Sequence, residues 1–197
     1  MTWNNYKVTD TPFAVAGQGH WGVMVKRDQF LDFGGYPDVH RTYGGGEVFV
    51  DCLWWMLGSS VVTDPNAVGY HLSAGRGYTY HHDDYIHNIF NCGHALGADD
   101  WIERAYINYL RRGRKEVLDK MMAEAKVEMA KRRATIDKRK KMTFNELIVN
   151  KPWDQWNQRV HGKTNSSMLV YHWSWLDLLK DSPDYVKEAY RNSVYQK

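Results

Sequence analysis

Cysteine is nearly absent from this sequence. Cys52 and Cys92 are the only thiols in 197 residues, and they form neither a CxxC pair nor a framework spacing, which excludes a disulfide scaffold and a cysteine-rich zinc site. Long apolar runs are missing too, since nothing approaches the ~18 residues that a membrane-crossing helix needs. The opening Met-Thr-Trp-Asn-Asn-Tyr-Lys has neither the basic nor the apolar region of a secretory leader. No internal repeat is present, which sets aside repeat architectures. These absences lead us to expect a soluble, cytoplasmic chain with no transmembrane segment and one sizeable core.

A strong net charge is also lacking, at +3 overall, but the balance is uneven. Residues 111–141 carry 13 Lys/Arg against 5 Asp/Glu, a net of +8, and the remainder nets −5. Residues 114–140 contain no glycine or proline, while Val117, Leu118, Met121, Met122, Ala125 and Met129 recur at helical spacing. The pattern predicts a long amphipathic helix. Its basic end holds Arg132, Arg133, Lys138, Arg139, Lys140 and Lys141. Those cations suit a solvated face at a helix C-terminus, and they equally suit contact with a polyanion such as DNA or an anionic membrane surface.

What is abundant is aromatic surface: 14% of residues, with nine tryptophans. Aromatic rings line sugar and base sites, and they serve as readily as core and interface residues. The most organised stretch is 41–71. Gly44, Gly45 and Gly46 remove every Cβ from a short loop, so backbone there tolerates positive φ and close approach. Glu47 follows at once and opens an apolar segment ending near Gly58; Asp51 lies four residues on, so a helix would put both carboxylates on one face. The pair suits acid/base work, and equally suits the positive end of a helix dipole. A short strand and then His71 complete the stretch.

Around it, Trp21, Val23 and Val25 alternate as a mostly buried strand would. Asp28 can cap a short helix through Phe33 that Gly34-Gly35 stops. Ser73 to Gly77 form a loop able to close over a ligand, with Arg76 suited to a diphosphate. Adjacent residues point in different directions, so His81-His82-Asp83-Asp84 makes a poor metal motif, and its aspartates are better placed to cap the next helix. That helix carries Ile86, Ile89 and Phe90 at core spacing, and a further one carries Trp101, Ile102, Ala105, Tyr106, Tyr109 and Leu110. Residues 143–197 read as a small helical appendage docked by Trp153, Trp156, Trp173 and Trp175.

The order Pro12-Phe13-Ala14-Val15-Ala16-Gly17, Trp21-Gly22-Val23-Met24-Val25-Lys26-Arg27, Phe33-Gly34-Gly35-Tyr36, Gly45-Gly46-Glu47 and Pro65-Asn66-Ala67-Val68-Gly69-Tyr70-His71 resembles the second half of GT-A-fold glycosyltransferases. It is most similar to the polypeptide N-acetylgalactosaminyltransferases and their bacterial and viral family-2 relatives. Arg76, Tyr78, Asn88 and Trp101-Ile102-Glu103-Arg104-Ala105-Tyr106 look like the stretch that follows, so the resemblance covers roughly residues 11 to 110.

The resemblance implies an α/β fold: the C-terminal, acceptor-side half of a GT-A-like nucleotide-sugar transferase over residues 1–112. The basic amphipathic helix (113–142) and the tryptophan-rich helical appendage (143–197) would follow. It also implies a metal-dependent enzyme moving a sugar from a nucleotide-sugar donor to a hydroxyl, with DNA as one candidate acceptor. Glu47 would contact donor sugar or acceptor, Asp51 would be the candidate base, and His71 would ligate Mn or Mg. Gly45, Gly46, Arg76, Tyr78 and Trp21 would contact substrate. The family's metal-holding DxD motif is absent from this sequence, and its second acid falls three rather than four residues after the glutamate. The missing motif implies either a partner chain that supplies the nucleotide-binding half or a chain truncated before it. The alternative is a non-catalytic subunit that docks nucleic acid or a partner protein through the basic helix.

Overall fold

In the computed structural model, residues 11–17, 23–64, 79–110 and 114–162 are described below. Helix takes 66% of them, and the sheet consists of two strands, β1 (Phe13–Ala14) and β2 (Val62–Thr63), paired antiparallel with Phe13 opposite Thr63 and Ala14 opposite Val62. The expected α/β, GT-A-like architecture is therefore corrected: the described chain is mostly helical. A strand persists only where its N–H and C=O groups find a neighbouring ladder. Residues 23–25 of the expected strand at 21–25 are irregular, and Met24 is 96% exposed.

Seven helices carry the rest of the described chain. Short α1 (Arg27–Asp32) has Asp28 in its first turn rather than at its N-cap, which is Lys26. The central helix α2 (Gly46–Met56) is buried continuously from Phe49 to Met56, as a helix apolar on every side must be. On it packs α3 (His82–Leu96), and against α3 in turn pack α4 (Asp99–Leu110) and α5 (Lys115–Arg139). Asp83 and Asp84 lie in the first turn of α3, and His81 takes the N-cap. At Gly93 a Cβ would meet the Ile102 and Trp101 side chains, so this glycine sets how closely α3 and α4 approach. Helix α5 buries Leu118, Met121, Ala125, Met129 and Ile136 in one stripe, matching the predicted periodicity.

Two shorter helices follow. A capping box between Thr143 and Glu146 starts α6 (Phe144–Asn150), and Pro152 opens α7 (Pro152–His161). One core cluster joins Phe13 of β1, the buried face of α2, Met129 and Ile136 of α5, Phe144 and Leu147 of α6, and Trp153 of α7. The described parts of segments 113–142 and 143–197 thus share a core with the segment before them. Trp153 meets Trp55 edge to face at 6.2 Å. Trp173 and Trp175 lie outside the described residues.

Candidate functional site

The glycine loop that leads into α2 is held from beneath by α3. Gly44 and Gly45 have φ of 90° and 83°, a region that side chains with a Cβ rarely enter. At Gly44 a Cβ would meet the Tyr85 ring, and at Gly45 it would come within 3.2 Å of the Asn88 Cβ and the Cys92 Sγ. The glycines therefore let helix α3 approach the loop, whereas sequence reasoning reserved their open backbone for a ligand.

Asn88, 1% exposed, does the holding. Its Oδ1 accepts from the Arg41 N–H at 2.8 Å, and its Nδ2 donates to the carbonyls of Arg41, Tyr43 and Gly44 at 3.2, 3.0 and 3.0 Å. Beside it, the Cys92 thiol donates to the Gly45 carbonyl at 3.1 Å and contacts His40 Nε2 at 3.4 Å. Burial, helped by the nearby His87 and Arg132, pulls the His40 pKa down to about 4, so its ring is neutral at neutral pH. His87, 1% exposed, faces Glu128 of α5 at 3.2 Å, and Asn91 Nδ2 lies 3.1 Å from its Nδ1. Burial likewise pushes both thiols up, and at Cys52 the nearby Asp51 and Cys92 add to the effect. Burial of this kind disfavours the thiolate, the reactive form. Of this polar row Asn88 entered the sequence reading through the family resemblance and Cys92 as one of two thiols, and no local signal marks His40 or Asn91.

Glu47 and Asp51 share the helix as expected, but their surroundings differ sharply. Glu47 is exposed in the first turn of α2, where the helix dipole favours its charge. Asp51 is 2% exposed, beside Gly17, where a Cβ would lie 2.8 Å from its Oδ2. A carboxylate that enclosed is poorly placed to take a proton from an acceptor. Two tyrosines lie close enough to feel the charge of the exposed acid. Burial raises the Tyr36 and Tyr85 hydroxyls above the usual tyrosine range; the charge of Glu47 adds to both shifts and that of Asp51 to Tyr36's. Tyr43 packs on Tyr80 with centroids 4.5 Å apart, and His82 stacks on Tyr85 at 6.1 Å. Thr42 donates to Asp84 at 2.6 Å, fastening the outer side of the loop to α3. Trp21, His71, Arg76 and Tyr78 lie outside the described residues.

The basic residues of α5 serve largely as internal clamps. Arg132 donates to the carbonyls of Phe33, Gly34 and Gly35 at 2.9, 2.8 and 2.6 Å, and its guanidinium lies 5.2 Å from the centre of the Phe49 ring. Arg139 pairs with Asp32 and covers Phe33. Arg133 bonds Asp137 and the His94 carbonyl, and Lys140 bonds Asp137. Lys138 and Lys141 are exposed, the latter beside Gly58. Four of the six cations singled out for nucleic acid thus have partners within the chain.

Two further findings limit the chemistry. Among the described residues no group of three or more His, Cys, Asp or Glu side chains could hold a metal ion, so we derive no step through one. A groove of about 430 Å3, lined by His94, Glu103, Asp119 and Met122 among others, shares no residue with the surroundings of Glu47. Its Asp119 already pairs with Lys115, and Asp99 lies 3.9 Å from Arg133. No helix among the described residues is long and apolar enough to cross a membrane.

Together these features define a helix-rich protein that presents the exposed Glu47 carboxylate near Tyr36 and Tyr85, above a buried row of polar groups. Compared with known protein families, curated proteins and solved structures, the chain matches none.

Proposed function

We propose that the chain takes part in glycosyl transfer from a nucleotide-sugar to a hydroxyl acceptor, in the reducing cytoplasm, with a partner chain supplying the acids that hold the metal-diphosphate. The observation that carries this reading is the exposed Glu47 carboxylate, seated at a helix N-terminus on a braced loop and flanked by Tyr36 and Tyr85. Carboxylate and aromatic groups together suit a sugar: the acid accepts from hydroxyls, and rings cover the apolar C–H face. The ordered motifs of the sequence point the same way.

In this reading Glu47 is the base and Asp51 is a buried support. Glu47 takes the proton of the acceptor hydroxyl as its oxygen bonds the anomeric carbon; the bond from that carbon to the donor diphosphate breaks, and the diphosphate leaves with the electron pair. A bound divalent metal would stabilise that leaving charge.

The test is calorimetric titration of a panel of nucleotide-sugars with Mn, against the chain alone and mixed with candidate partner chains. Donor binding that needs the partner, with transfer reduced at least ~100-fold in Glu47→Gln and donor affinity changed little, is the expected result. Absence of donor binding in every combination would overturn the reading.

A further inference from the structure

We propose that Asn88 is the positioning residue of this site: it fixes the loop that leads into α2 and thereby the direction in which Glu47 is presented. The inference rests on the functional reading above and adds a residue from a different helix. One side-chain amide accepts from one N–H and shares its two N–H donors among three C=O groups of residues 41–44. Regular pairing cannot serve these groups, because the loop turns through two positive-φ glycines immediately before the helix begins.

The match is chemically narrow. The site needs an acceptor for the Arg41 N–H and donors for converging carbonyls, within a space bounded by Gly45 on one side and His87 on the other. An aspartate there would lose the donors and set a charge against three carbonyl oxygens; a leucine would leave all four groups unsatisfied. The amide is itself oriented. His87 Nδ1 lies 3.5 Å from Asn88 Oδ1, and the same ring meets Glu128 of α5. A chain of contacts therefore runs from the long helix through α3 to the loop. That loop ends at the N-cap of α2, Gly45, two residues before Glu47. Movement of the loop moves the carboxylate, and an angstrom of misplacement matters greatly in transfer chemistry.

A double-mutant cycle tests this. Asn88→Ala, Glu47→Gln and the double variant are compared in the partnered protein by the rate of sugar transfer, together with amide hydrogen exchange of the loop. If Asn88 acts through Glu47, Asn88→Ala slows transfer by about tenfold or more, and the double variant is no slower than Glu47→Gln. Residues 41–45 then exchange about tenfold faster in Asn88→Ala, while the buried stripe of α5 keeps its protection. Multiplying rate losses in the double variant, or unchanged exchange at residues 41–45, would overturn the proposal. Asn88→Ser takes the place of the alanine variant should that one fail to fold. A wild-type protein that transfers no sugar would defeat the glycosyl-transfer reading and this role together; exchange at residues 41–45 would then report whether the brace itself is real.

Discussion

His40 carries the clearest titration signature among individual residues. Its folded pKa is about 4, against an ordinary value near 6.5. As the pH falls through that window, the unfolded chain takes up a proton that the folded one refuses, so folding loses stability from about 6.5 down to about 4 and the loss levels off below that. The full effect of such a shift is roughly 3 kcal/mol. The difference in urea stability between wild type and His40→Gln, measured at several pH values, should change by an amount of this order across the window. A difference independent of pH would mean that the ring titrates alike in the folded and unfolded chains. The same burial that keeps His40 neutral prevents it from serving as an acid near neutrality.

At the scale of the element, the basic helix α5 is as much a clamp as a surface. Arg132 closes the C-terminal end of α1 by three carbonyl bonds and rests on Phe49. Planar guanidinium geometry makes that possible, and an ammonium cannot reproduce it. Arg132→Ala should cost about 3 kcal/mol, and Arg132→Lys should recover less than half of that despite keeping the charge. Equal stability of the lysine and wild-type proteins in denaturant melts would show that charge alone matters there. Periodicity made α5 legible, because its buried stripe needs only residue spacing. The destination of its arginines was not legible, since Phe33 and Gly35 lie about a hundred residues earlier in the chain.

Over the whole molecule, the two ends of the described chain close on each other. Asn157 of α7 exchanges two 2.8 Å hydrogen bonds with the backbone of Ala14, acting as a third rung beside the short β1 strand. His161 lies 2.9 Å from the Pro12 carbonyl. Trp153, 3% exposed, fills the core beneath. Asn157→Asp should therefore destabilise by about 2 kcal/mol through the lost donor, and Trp153→Ala by about 3–5 kcal/mol. Both should lower the same cooperative transition, seen alike by tryptophan fluorescence and far-ultraviolet circular dichroism. Separate transitions for the two probes would show α7 to be an independent appendage.

Local information in the sequence determined the helices and several of their ends. Apolar spacing defined α5, Thr143 and Glu146 carry their own capping box, and the apolar run after Glu47 announced a buried helix, because each of these depends on neighbours within about four residues. Tertiary structure decided the rest. Whether Val23 and Val25 join a sheet depends on partner strands elsewhere, and the alternation that marked them says nothing about such partners. Glu47 and Asp51 are indistinguishable as letters one turn apart; only tertiary packing, with Gly17 against the second acid, makes one a surface acid and the other a buried one. Asn88 and Gly45 are likewise separated by more than forty residues. Their contact became visible once the helices that carry them had packed, because hydrogen bonds and close approach act through space rather than along the chain.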